Sequence, residues 1–180
     1  MIEYDLPAGK RLDLVRRFFG EASTVEELVN PEHAPSSIAP SRLYSYATGL
    51  IEAPDPEIER AMEENPRLRS VFRRMLEEAA SYYLPEAMAA STEDLPQRDG
   101  AGCRIRFEQS RAEPDQVYVI VELTDEVKAP PKTLVVCDAE DRCEQLALPQ
   151  FRDSVVQFIV EKNSDLLRLL RDPKTKAFLR

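Results

Sequence analysis

Four side chains hold most of the reactive chemistry available to this sequence: His33, Cys103, Cys137 and Cys143. A zinc centre needs three or four converging nitrogen, sulfur or oxygen ligands, and a catalytic triad needs a histidine held by a carboxylate. His33 is the only histidine and stands in a proline-rich stretch with no cysteine near it, so it reads as a surface loop residue. Only the fold could bring Cys103 and His33 together as a nucleophilic dyad, and no local signature joins them. Cys103 lies on an alternating apolar–polar run and reads as a small core hydrophobe. Cys137 and Cys143 have C-x5-C spacing, unlike the C-x2-C of zinc knuckles and redox pairs, and read as buried free thiols on neighbouring strands.

Other catalytic and ligand-binding signatures are missing as well. Glycines 9, 20, 49, 100 and 102 form neither a G-x-G-x-x-G nor a P-loop. Asp138, Glu140, Asp141 and Glu144 gather carboxylates near one turn, but not at EF-hand spacing and without its glycine, so they read as a solvated turn. No catalytic, cofactor-binding or metal-binding residue is assigned, and a non-enzymatic protein with no cofactor is expected. A site built only from Asp, Glu, Arg, Lys or Tyr would leave no local signature, which makes an enzyme the third choice.

The balance of 24 Lys and Arg against 33 Asp and Glu, a net charge of -9, disfavours direct nucleic-acid binding, which needs concentrated positive charge. No window approaches the roughly 18 uninterrupted apolar residues of a membrane span, and the start Met1-Ile2-Glu3-Tyr4-Asp5 lacks the order of a signal peptide. A cytoplasmic location without membrane association is expected.

The elements expected to carry the function fall into two halves. Leu12, Val15, Phe18 and Phe19 predict a short helix over residues 10–19, and overlapping capping boxes from Ser23 to Glu27 open a second. Pro31, Pro35 and Pro40 mark a linker over residues 30–41. Asp55-Pro56 and Asn65-Pro66 each pair a helix-capping side chain with a proline at the first helical position. Leu68, Val71, Phe72, Met75, Leu76, Ala79, Tyr82 and Tyr83 trace one apolar stripe on the helix that follows, ending near Pro85. Residues 89–102 turn small and polar and read as a boundary.

Strand patterns then replace the helical period at residues 103–107, 117–123, 133–137, 143–148, 155–160 and 176–179, with a short helix over 165–171. Residues 133–137 and 143–148 read as a hairpin across a polar turn. The expected fold is α+β: a helical N-terminal half, residues 1–88, then a small antiparallel β-sheet or β-sandwich over residues 103–180.

One short segment resembles a known family. Ala61-Met62-Glu63-Glu64-Asn65-Pro66-Arg67-Leu68-Arg69 is similar to the zinc-binding helical module of bacterial anti-sigma factors, whose pattern is H-x-x-x-C-P-x-C-R. The proline and final arginine match. Ala61, Asn65 and Leu68 replace the three metal ligands, so the resemblance implies a zinc-free variant held by capping and packing instead. It covers residues 43–77 and implies a regulatory protein that binds another protein, a sigma factor among the candidates. The partner-binding residues it points to are Leu68, Val71, Phe72, Met75 and Leu76. Residues 41–95 carry six basic and eleven acidic groups, a net of -5, compatible with a basic DNA-binding partner.

A different class of function fits the same elements: a ligand-binding or structural β unit whose helices serve as a docking arm or drive homo-oligomerisation. The two readings differ in whether the apolar stripe stays exposed or is consumed by internal packing.

Overall fold

A computed structural model describes residues 38–51, 54–87, 95–125 and 129–180. The helices expected at residues 10–19 and 23–30, His33 and most of the linker over 30–41 lie outside the described residues. The described chain is α+β with antiparallel sheets, as expected. Its helical part is described only from Pro40 onward, and a helical N-terminal half over residues 1–88 is not shown.

The three helices before the sheets start as the local sequence dictates. Helix α1, Pro40–Ala47, has proline in its first turn, so Pro40 opens a helix rather than closing the linker. Helix α2, Pro56–Glu64, is capped by the Asp55 carboxylate, which accepts from the N–H groups of Glu57 and Ile58. Arg42 reaches from α1 to Asp55 at 2.9 Å and to Glu57 at 2.5 Å, holding the two helix starts together. Asn65 ends α2 and caps helix α3, Pro66–Ala79, accepting from Arg67 and Leu68 N–H.

Helix α3 stops short of the expected stripe. Tyr82 and Tyr83 leave it and enter a strand, β1, Tyr82–Leu84, where the Ser81 N–H donates to the Leu179 carbonyl. Two adjacent tyrosines and a leucine suit a pleated, half-buried surface, and here tertiary pairing overrides helical spacing.

Seven further strands and one helix follow: β2 Gln97–Gly100, β3 Cys103–Gln109, β4 Gln116–Leu123, β5 Thr133–Cys137, β6 Cys143–Ala147, β7 Val155–Glu161, helix α4 Asp165–Arg171 and β8 Lys176–Leu179. They form two antiparallel sheets, in the order β1-β8-β5-β6 and β2-β3-β4-β7. Strand β2 falls inside the stretch read as a boundary. Its polar sequence, Gln-Arg-Asp-Gly, carries no strand signal, and only pairing with β3 makes it one.

Two cores meet in the first sheet. Leu134, Val136, Ala177 and Leu179 face the second sheet, packing with Ile105, Val117, Val119 and Val121 to form a sandwich, with Leu167 and Leu170 of α4 in the same cluster. The alternate residues Val135, Cys137 and Phe178 face the helices and pack with Leu43, Tyr46, Ile58, Phe72, Met75 and Leu76. The architecture is therefore helices on sheet on sheet.

One charge lies inside this packing. Arg98 on β2 is 3% exposed and, among the described residues, has no carboxylate within ion-pair distance. Its guanidinium donates to the Thr175 hydroxyl and carbonyl, each at 2.5 Å, and to the Pro85 carbonyl at 2.9 Å. Burial lowers its pKa, but hydrogen bonds from both terminal nitrogens to chain oxygens keep the cation in place. Arg98 thus fastens the segment after β1 and the α4–β8 turn to the second sheet. Arg98→Met should cost roughly 3 kcal/mol or more by orphaning these oxygens. Arg104→Met, which breaks an exposed, solvent-screened pair with Asp99 on the same hairpin, should leave stability nearly unchanged. Chemical denaturation of the two variants checks the contrast.

Candidate protein-binding groove

The residues expected to bind a partner sit mostly inside the protein. Phe72 and Leu76 are 0% exposed and Met75 is 2% exposed, packed against α1 and the first sheet. Leu68 and Val71 are partly buried against the same cluster. The stripe is consumed by internal packing, because the sheet offers it an apolar face: Phe178, Val135 and Cys137. Phe72, Met75 and Leu76 thus belong to the core of the described residues and present no exposed surface there.

A different feature is left open. Among the described residues, strand β6 is the last strand of the first sheet and pairs on one side only, with β5. The Asp138 N–H donates to the Arg142 carbonyl and the Leu148 N–H to the Lys132 carbonyl, which sets the phase of the ladder. Antiparallel pairs alternate between bonded and non-bonded positions, so Cys143, Gln145 and Ala147 turn their N–H and C=O groups away from β5. These six backbone groups have no hydrogen-bond partner among the described residues.

The open edge borders a groove of about 1070 Å³, where the helical layer covers β6 only in part. Ile51 and Pro54 of the α1–α2 connection and Met62 and Glu63 of α2 form one wall, while Gln145, Ala147 and Arg180 line the sheet side. A polar chain crosses it. Arg180 donates to the Gln145 amide oxygen at 2.6 Å, Gln145 donates to the Tyr46 hydroxyl at 2.8 Å, and Tyr46 donates to Glu59 at 3.0 Å. Arg180 also donates to the Tyr46 carbonyl and lies over its ring. Burial, then the hydrogen bond to Glu59, pushes the Tyr46 phenol up to about 12. A buried phenol held neutral to that degree does not serve as a base near neutral pH.

One end of the groove is fixed by the β5–β6 turn. Asp138 accepts from the N–H groups of Glu140 and Arg142, and Asp141 adopts a left-handed backbone. Asp141 meets Arg73 at 2.6 Å and Ser70 at 2.7 Å, and Arg69 donates to the Glu140 carbonyl at 3.1 Å. The turn read as solvated is therefore docked onto α3. Sequence gave no sign of this, since the partners are some seventy positions apart.

Cys137 and Cys143 face each other across the hairpin, with Cα atoms 4.0 Å apart, and are joined by a disulfide. This corrects the reading of both as free thiols: they occupy a directly opposed, non-bonded cross-strand pair, where side chains approach most closely. Cys103 is free and buried, and burial pushes its thiol up to about 12. Among the described residues, no three His, Cys, Asp or Glu side chains converge as a metal site, and no helix is long and apolar enough to cross a membrane.

Comparison with family models, with curated proteins and with solved structures finds no match to this chain.

Two outcomes follow from these placements. Phe72→Ala should destabilise the fold by about 3–5 kcal/mol, the range for truncating a buried aromatic, and an unchanged melting temperature would show the helix face is not core. Thiol titration should find no reactive cysteine in the native chain, one in denaturant and three after reduction. Reduction should lower the melting temperature by roughly 4–8 °C, from about 2 kcal/mol of lost chain constraint.

Proposed function

We propose that the protein is a non-enzymatic binding module that takes up an extended segment of another protein by strand addition to β6. The observation that carries this reading is a coincidence of two features. Six unpartnered backbone groups on Cys143, Gln145 and Ala147 lie along a groove walled by Ile51, Pro54 and Met62. In strand addition, the edge supplies backbone hydrogen bonds and adjoining pockets read alternate side chains. The polar chain from Arg180 to Glu59 adds specificity in such a groove, since an incoming polar side chain meets fixed donors and acceptors.

The non-enzymatic part of the reading rests on the sequence, in which His33 has no ligating or catalytic companion and no nucleotide loop is present. A regulatory role, with a sigma factor as partner, is the form of this function implied by the resemblance at Ala61–Arg69. In that form the partner meets the groove beside Met62 and Glu63, and the buried face of α3 serves only to hold the groove wall. A cytoplasmic setting belongs to the same proposal, and the Cys137–Cys143 disulfide is the feature that a reducing compartment would challenge.

Ala147→Pro tests the proposal. The Ala147 N–H points away from β5, so proline there removes an outward donor and obstructs an added strand while leaving the ladder bonds intact. Full-length protein used as bait in its own cell lysate should retain a partner that the folded Ala147→Pro variant loses by about tenfold, equivalent to one hydrogen bond of roughly 1.4 kcal/mol. A partner retained equally by both forms, or no partner at all, would overturn the reading.

A further inference from the structure

The second sheet also ends in an open strand, and its exposed groups match a copy of themselves. Among the described residues, strand β7 forms a ladder with β4 alone. The Lys162 N–H donates to the Asp115 carbonyl and the Leu123 N–H to the Ser154 carbonyl, so Val156, Phe158 and Val160 bond inward. Val155, Gln157, Ile159 and Glu161 turn outward. Val155 is already satisfied, because it exchanges both hydrogen bonds with Arg152 in the preceding turn. Three outward positions are left, Gln157, Ile159 and Glu161, spaced evenly about Ile159. The carbonyl of Glu161 accepts from the Ser164 N–H and keeps a second lone pair.

Edge strands are usually guarded by charge, proline or a bulge. Strand β7 reads Val-Val-Gln-Phe-Ile-Val-Glu, with no lysine or proline and an unbroken ladder to β4. Ile159 at its centre is 51% exposed and lies beside Tyr118 on the outer face.

We infer that this edge is a self-association surface: two copies of the chain pair β7 with β7 antiparallel about a two-fold axis at Ile159, joining their second sheets into one of eight strands. In that register Ile159 meets its counterpart, and Gln157 lies opposite Glu161 of the second copy, an amide donor against a carboxylate. A continuous apolar row then runs from Tyr118 through both Ile159 side chains to the second Tyr118. A register centred on Gln157 would need the backbone groups of Val155, which Arg152 occupies. A register centred between Gln157 and Ile159 would oppose Glu161 to Val155 and lose a bonded pair.

The size of this interface fixes its strength. Three bonded pairs make six hydrogen bonds, which at about one per 100–200 Å² correspond to roughly 600–1,200 Å². Stable interfaces bury about 1,200–2,000 Å². The dimer is therefore weak and reversible, with an affinity near micromolar or weaker.

Sedimentation velocity of the full chain over a concentration series tests the inference. The wild type should shift from monomer towards dimer as concentration rises. Ile159→Lys and Ile159→Glu should each stay monomeric by self-repulsion at the axis, and an equimolar mixture of the two should recover the dimer. Recovery on mixing shows that both variants are folded and that position 159 meets itself. A wild type that stays monomeric up to roughly 1 mM, where even weak specific association would register, overturns the inference. So does a dimer that is indifferent to both substitutions, which would place the contact on β6 or elsewhere.

Discussion

A strand covered on both faces has no direction in which to turn a polar side chain, and two strands of this protein are under that constraint. In β5, Leu134 and Val136 face one core while Val135 and Cys137 face the other. In β8, Ala177 and Leu179 face the sandwich and Phe178 faces the helices. Everything else is arranged around this doubly buried pair. The second sheet covers one side, helices α1 to α3 cover the other, and each layer needs only one apolar face of its own. Burying both faces removes about twice the apolar area per strand that a half-exposed sheet would, which is how a chain of this size supports three layers.

The same arrangement decides where the protein is left open. The helices pack over the strands that need them and cover β6 only in part, leaving its side chains intermediate or exposed. A groove forms where the helical layer ends and the sheet continues. Its far end is held by contacts that are individually modest: the Arg73–Asp141 pair, the Ser70–Asp141 hydrogen bond and the reach of Arg69 to Glu140. With the Cys137–Cys143 link they hold the hairpin against α3. An edge kept in place by both a crosslink and polar ties is a fixed surface, and a fixed surface binds without the cost of ordering itself.

Charge is handled differently inside and out. Exposed arginines such as Arg42 and Arg104 find carboxylates, whereas the two most enclosed, Arg98 and Arg180, are bound by carbonyl, hydroxyl and amide oxygens. Burial lowers the pKa of both. A guanidinium supplies five donors in a rigid fork, so it can bridge several chain segments at once, and Arg98 ties together stretches from three parts of the sequence. Neither role has a local sequence signal, because the acceptors are mostly backbone oxygens and any residue can supply them.

Much of the secondary structure was legible from local chemistry. Asp55-Pro56 and Asn65-Pro66 open helices because the side chain satisfies free N–H groups and proline wastes none. The alternation at Cys103–Gln109 and the polar turn at residues 138–142 fixed a strand and a hairpin, since side-chain period and turn chemistry act over a few residues. Tertiary contact decided the rest. Tyr82–Leu84 is a strand because β8 is there to pair with it, and Gln97–Gly100 is a strand because β3 is. The stripe at Phe72, Met75 and Leu76 announced burial, but sequence could not say whether a partner or the protein's own sheet would cover it. Nor could it show which strands would end the sheets, because an open edge is defined by a missing neighbour and not by the residues that compose it.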